Sequence, residues 1–256
     1  MTDGRQIFEA LEYPDLQGIT NQYDVIVADP CFRYARANGI GSADRHYETL
    51  PIDTLKALPV KNIASANCAL LLWAAGPKLS DAIELMTAWG FQYSTIFINW
   101  IKTNKHSESQ SLADATRIGL GSWTYPSCEL LLCGTRGRPL IHKNKRVSQL
   151  LVAPRREHSE KPVEVWPVID SFFKPSARVI ELFARVSANG YAHEHDVWGL
   201  EAAERVEAAP PADVGEACCR ACGKVKQGST FYPGQRTCKL CYIARQKETN
   251  KRLRES

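Results

Sequence analysis

Apolar positions along the chain fall into short dense runs separated by polar segments marked with proline and glycine. Tyr23–Ala28 (YDVIVA) and Cys68–Ala74 (CALLLWA) show almost no polar alternation, as expected of strands buried on both faces. Phe91–Lys102, Ser127–Cys133, Gln149–Val152, Ala177–Phe183 and the short Asp196–Trp198 read as further strands. Leu79–Trp89 is apolar at helical spacing and is closed by Gly90, while Pro51–Ala57 and Pro162–Phe173 predict two more helices and Lys61–Ala66 an additional turn. Strands alternating with helices predict an α/β domain built on a doubly wound, mostly parallel sheet. Thr103–Gly121 is polar and glycine-bearing, and a loop of that length inside a compact domain is functional or disordered.

Composition narrows the class. A chain of 256 residues holds one sizeable α/β domain and a small appendage, and six Trp suit a well-filled core. Residues 1–8 carry no apolar stretch of the secretory kind, and the longest apolar run, Cys68–Gly76, is too short to span a bilayer, so a soluble protein of the cytoplasm, of a bacterium or a phage-infected host cell, is expected. Charge is uneven. The segment 219–256 has ten Lys and Arg against two Glu, a balance of +8, and since the whole chain carries +4, the first 218 residues carry −4. An acidic body with a strongly basic tail points to a polyanionic partner met through the tail. Glu201–Ala217 is rich in Ala, Glu and Pro and reads as a linker, giving a body at 1–200, a linker at 201–217 and a module at 218–256.

The candidate chemistry begins at the end of the first strand. Asp29 follows Ala28 and is itself followed by Pro30, Cys31 and Phe32. That places a carboxylate at the carboxyl end of a strand, where open α/β sheets bind their ligands. An acceptor, a rigid proline and a flat ring can hold a planar base by its exocyclic amine and stack on its face. The common turn-forming role of Asp-Pro is the competing explanation. No glycine-rich phosphate loop follows the strand, because Gly39 and Gly41 lie in a polar loop with no helix behind them. No His is tied to Cys31 by spacing, which argues against a catalytic thiol.

Four stretches together resemble the MT-A70 family of adenine-N6 methyltransferases. They are Asp29-Pro30-Cys31-Phe32, then His46–Leu50 followed by Leu70–Trp73, then Arg155–Pro162 (RREHSEKP), and last Ile180–Arg185 followed by Asp196–Gly199. The resemblance covers roughly Tyr23 to Glu201. It implies a circularly permuted Rossmann-like methyltransferase using S-adenosylmethionine, with the target-amine strand first and the cofactor strand late. It implies that the Asp29 carboxylate and the Pro30 carbonyl accept the N–H groups of adenine N6, that Phe32 stacks on the base and that Tyr47 helps hold the nucleotide. Ser159 and Lys161 would bind the methionine carboxylate, and Glu181, Phe183 and Arg185 would line the ribose and adenine pocket. The chain departs from the family pattern in two places: Cys31-Phe32 stand where it has Pro-Trp, and Leu200 stands where it has Asn, so a ribose contact would pass to Glu201.

Nine cysteines are unevenly placed, and five of them crowd the end. Cys219-x2-Cys222 and Cys238-x2-Cys241, fifteen residues apart, fit four thiolates around a tetrahedral, structural Zn²⁺. About 35 residues cannot build an adequate core unaided, so a metal would supply the fold energy. Residues 242–254 read as a basic helix and, with the other tail cations, make a phosphate-binding face. The expected function is methyl transfer to adenine N6 in nucleic acid, DNA ahead of RNA, with Thr103–Gly121 gripping the target strand. Two alternatives stand beside it: a catalytically silent nucleic-acid-binding partner, and a zinc-dependent DNA-binding regulator.

Overall fold

The computed structural model describes residues 15–33, 49–104, 116, 124, 126–142, 146–156, 159–184, 195–200, 217–218, 222 and 224–226. Seven strands make one sheet: β1 (Tyr23–Ala28), β2 (Ala64–Ala74), β3 (Gln92–Thr103), β4 (Cys128–Arg136), β5 (Leu150–Pro154), β6 (Val179–Leu182) and β7 (Asp196–Trp198), in the order β5-β3-β4-β2-β1-β6-β7. All pair in parallel except β4, which runs antiparallel to both its neighbours, β2 and β3. The mixed α/β class and the mostly parallel sheet agree with the sequence reading. The boundaries shift by a few residues. The turn expected at Lys61–Ala66 divides into a helical turn ending at Ile63 and the start of β2, which runs eleven residues rather than seven.

Among the described residues four α-helices pack on the sheet: α1 (Ile52–Ala57), α2 (Val60–Ile63), α3 (Leu79–Ala88) and α4 (Val165–Phe172). In α3, Ala82, Leu85 and Met86 form one buried stripe at helical spacing. That stripe packs with Leu55, Val60, Ile63 and Trp89 against Ile26, Leu70, Leu72 and Leu132 on one face of the sheet. The opposite face gathers Val25, Val27, Leu71, Trp73, Trp100 and Leu131 under Val165, Trp166 and Ile169 of α4. Because alternate residues of β1 and β2 enter different cores, both strands need apolar side chains at nearly every position. Gly90, at φ 85°, ends α3 in the left-handed region, where glycine carries no Cβ penalty. The buried indoles satisfy their N–H groups on backbone carbonyls, Trp89 on Leu55 at 2.9 Å and Trp100 on Ala153 at 3.0 Å.

The site depends on where β1 sits. It lies between β2 and β6, so the chain leaves β1 toward one side of the sheet and returns to β6 on the other. Connections that part in this way open a crevice beyond the strands' carboxyl ends. The amino end of β4 and the carboxyl end of β3 reach the same edge, since Trp73 is level with Leu131, and Trp100 with Glu129. Apart from the sheet, β8 (Ala217–Cys218) and β9 (Val225–Lys226) form a small antiparallel pair that the sequence reading did not foresee.

Candidate active site

Asp29 is the first residue past β1 and keeps about a fifth of its side chain exposed (20%). The segment after it is clamped. Leu50 donates its N–H to Cys31 at 2.8 Å, Arg33 donates to Leu50 at 3.1 Å, and Phe32 pairs in parallel with Leu50. The Pro30 carbonyl accepts the Phe32 N–H at 2.9 Å, a tight turn that fixes Pro30 directly beside Asp29. Phe32 itself is 6% exposed and belongs to the core beneath α1 and α3.

Lys161 closes on Asp29, its ammonium donating to Oδ2 at 2.8 Å. The sequence reading assigned these two residues to different ligands, and the fold brings them into direct contact. Lys161 also donates to the Ser159 carbonyl at 3.3 Å and lies 3.4 Å from Glu129 Oε2. Lys102, at the end of β3, bonds the other oxygen of Glu129. The result is a chain of alternating charges, Asp29–Lys161–Glu129–Lys102, with two positive and two negative members. Two indoles floor it: Lys161 lies 5.8 Å from the ring centre of Trp73, Lys102 lies 5.0 Å from that of Trp100, and the rings meet edge to face at 6.2 Å. Burial pushes the Glu129 carboxyl up, yet the ammonium groups of Lys161 and Lys102 outweigh it and hold the group below the ordinary carboxylate range.

Glu129 and Lys102 were not picked out from the sequence. The available signal was a charged residue at the end of an otherwise apolar strand, Glu129 before three leucines and Lys102 after Trp100-Ile101. Such a charge at the carboxyl edge of a sheet needs a partner once it is mostly buried.

The predicted cofactor residues lie along the same edge. Glu181 is in register with Val27, so it shares the sheet face that carries Asp29. Phe183 follows β6, packs edge to face on Trp198 at 5.4 Å and has φ 61°; Ser159 has φ 63°. Among the described residues these two are the sole non-glycine positions in the left-handed region. Such conformations cost of order 1–3 kcal/mol and cluster at ligand sites. Gly199 supports the Phe183 turn, because a Cβ there would fall 2.7 Å from the Ala184 oxygen and 2.8 Å from its nitrogen. Arg156 ties the Ser159–Lys161 segment to α4, reaching Glu160 at 4.0 Å and the buried Glu164 at 3.6 Å.

Several predicted residues lie outside the described residues: Tyr47, Arg185, Glu201, Cys219, Cys238 and Cys241. Most of Thr103–Gly121 does as well, though Thr116 bridges back to Thr103. Cys222 is exposed and outside any disulfide. Among the described residues no cluster of three or more His, Cys, Asp and Glu side chains could hold a metal ion, so a zinc centre is not shown. No described helix is long and apolar enough to cross a membrane.

A mostly parallel sheet with a chain of charged side chains at its carboxyl edge is the arrangement in which open α/β proteins bind their ligands. The MT-A70 family profile matches residues 23–201. A type II methyltransferase, M.MunI of Mycoplasma sp., is 32% identical over 199 residues, covering 70% of this chain and 78% of the relative. The chain therefore belongs to the MT-A70 family of N6-adenine methyltransferases. A probable N(6)-adenosine-methyltransferase MT-A70-like protein of rice is 31% identical over 66% of this chain, and the human N(6)-adenosine-methyltransferase catalytic subunit METTL3 is 28% identical over 68%. The chain spans only 22% and 27% of the length of those two relatives.

Proposed function

We propose that this protein transfers a methyl group from S-adenosylmethionine to the N6 amine of adenine in nucleic acid. The observation that carries the reading is the Asp29–Lys161 contact of 2.8 Å at the carboxyl edge of β1, where both family motifs converge. The adenine amine is a weak nucleophile because its lone pair is delocalised into the ring. A fixed carboxylate and a fixed carbonyl that accept its two N–H groups favour the pyramidal amine of the transition state. Asp29 and Pro30 supply these acceptors, and the backbone clamp to Leu50 holds them in place. Phe32 would stack on the base from the core side, and Tyr47 would help hold the nucleotide.

The chain's own residues suit the cofactor. The Lys161 ammonium and the Ser159 turn would take the methionine carboxylate. Glu181, Phe183 and Arg185 would line the ribose and adenine pocket, with Glu201 acting where Leu200 cannot. When bound, S-adenosylmethionine supplies the electrophilic methyl group. Lys161 would then link the two halves of the reaction: the same ammonium that orients Asp29 would hold the cofactor's carboxylate.

A circular permutation would account for an amine-binding motif on the first strand and a cofactor motif on the sixth. The body would span 1–200 and the linker 201–217. The module at 218–256 would be held by Zn²⁺ on Cys219, Cys222, Cys238 and Cys241. The β8–β9 pair flanks the first Cys-x2-Cys, as a metal knuckle would require. The basic tail would meet the phosphate backbone of the nucleic acid, and the protein would work in the cytoplasm. We take the kinship with a type II methyltransferase, which the chain matches over most of that protein's length, to favour DNA over RNA.

The test is methyl transfer from labelled cofactor to single- and double-stranded DNA and RNA, with the modified nucleoside identified after digestion. N6-methyladenine in DNA is the expected product. Modification of RNA alone would reverse the substrate preference. No transfer and no cofactor binding would favour the silent partner or the zinc-dependent regulator.

A further inference from the structure

We infer that Arg33 grips a backbone phosphate of the target strand beside the base that enters the crevice. The inference rests on the methyltransferase reading above and names a contact that reading does not supply.

Arg33 lies four residues past Asp29, and four residues of chain span at most ~14 Å. Its position relative to Asp29 is fixed, because its own N–H donates to Leu50 at 3.1 Å while Leu50 donates to Cys31 at 2.8 Å. The residue is exposed, yet its guanidinium is aimed: Nη2 donates to the Thr49 carbonyl at 3.1 Å. A guanidinium carries five N–H donors in a rigid fork. One bond to Thr49 orients the fork and leaves the others to be taken. Among the described residues Arg33 forms no ion pair.

The charges around it make this cation distinctive. Inside the crevice, Lys161 and Lys102 are already matched against Asp29 and Glu129. The body outside the tail carries −4, which repels a polyanion. A nucleotide presenting its base edge to Asp29 must place its phosphate nearby at this rim. An exposed, pre-oriented, bidentate-capable guanidinium is the donor set a phosphate takes. A surface arginine serving solubility alone would have no need of the Thr49 anchor.

The experiment measures binding of a fluorescent single-stranded, adenine-containing DNA oligonucleotide to the full chain by anisotropy across a salt series. Wild type is compared with Arg33→Gln and Arg33→Lys. Removing one phosphate contact from a single strand lowers the slope of log affinity against log salt by about 0.7. Arg33→Gln should show that drop and bind about 5- to 10-fold more weakly near 50 mM salt. Arg33→Lys should retain the wild-type slope. The same series is run with oligonucleotides carrying a single neutral methylphosphonate next to the target adenine. On that substrate, wild type and Arg33→Gln should bind alike, an equality that a purely structural role for Arg33 would not produce. An unchanged slope in Arg33→Gln, or no binding by wild type, overturns the inference. If the slopes behave as expected and methyl transfer is absent, the phosphate contact stands and the assigned reaction fails, so the two can be told apart.

Discussion

Replacing Glu129 with Gln should lower stability and turnover together, and the charge chain sets the sizes. One Glu129 oxygen bonds Lys102 and the other lies 3.4 Å from Lys161. Removing one partner of a fully buried ion pair costs about 3–5 kcal/mol. Here Lys102, Glu129 and Lys161 keep side-chain exposures of 20%, 18% and 17%, so water recovers part of the loss. About 1–3 kcal/mol is the expected destabilisation. In a chain of this size that is a fall in Tm of roughly 3–10 °C. Gln preserves shape and one acceptor, so the fold should survive. Lys161 would lose one of its two carboxylates and pull harder on Asp29, weakening it as an acceptor for the amine. A loss in kcat of about 10-fold is expected. The pH dependence is a second check. The folded-state pKa of Glu129 is depressed, so its stabilisation is complete above the unfolded value of about 4.3 and is lost as pH falls through the folded value. Thermal unfolding of wild type and Glu129→Gln should therefore differ by a constant gap from about pH 6 to 9, closing only in acid below about pH 4. Equal Tm and equal turnover, or a gap that closes near neutrality, would refute the reasoning.

Three further outcomes follow from other parts of the chain. Gly199→Ala would drive a methyl group into the Ala184 backbone, 2.7 Å from its oxygen, so we expect about 1–3 kcal/mol of destabilisation and clearly weaker cofactor binding by calorimetry; unchanged affinity would separate this turn from the cofactor site. Burial pushes the thiols of Cys68 and Cys133 up to about 12 and about 11, so at about pH 8 neither should react with iodoacetamide in the native protein, and early labelling of either by mass spectrometry would contradict the packing. Metal analysis should find one zinc per chain, and chelation should accelerate alkylation of Cys222; a metal-free chain with Cys222 equally reactive before and after chelation would remove the zinc module.

Much of this architecture is written in local sequence. Tyr23–Ala28 is legible to the residue because the unbroken apolar run Val25–Ala28 fits a strand buried on both faces, with Asp24 alone polar near its start, and Leu79–Trp89 because its apolar stripe ends at a glycine. The start of the long β2 is hidden because Ser65, Ala66 and Asn67 carry no apolar signal; they lie in a break of the β1–β2 register, between Ala64 and Ala69, where the Ser65 hydroxyl donates to Asp24 and Asn67 Oδ1 accepts the Arg138 N–H. The antiparallel direction of β4 was equally hidden, since pairing direction is a property of distant neighbours. At the site, Asp29 and Lys161 were each legible from motif, but their contact was not, because 132 residues separate them. Glu129 and Lys102 were passed over for a related reason. A lone charge at a strand end acquires meaning only when the fold sets an opposite charge beside it.

The central claim is that Asp29, held by Lys161, is the acceptor for the reacting amine. The most direct measurement is kcat for methyl transfer to adenine-containing DNA by Asp29→Asn, beside its affinity for S-adenosylmethionine. Asn keeps the size and one oxygen, but it loses the charge and the Lys161 pair. The account predicts a fall in kcat of about 100-fold or more, the scale of losing one oriented transition-state contact, with cofactor affinity changed no more than about 3-fold. Near-wild-type kcat in Asp29→Asn would contradict the account.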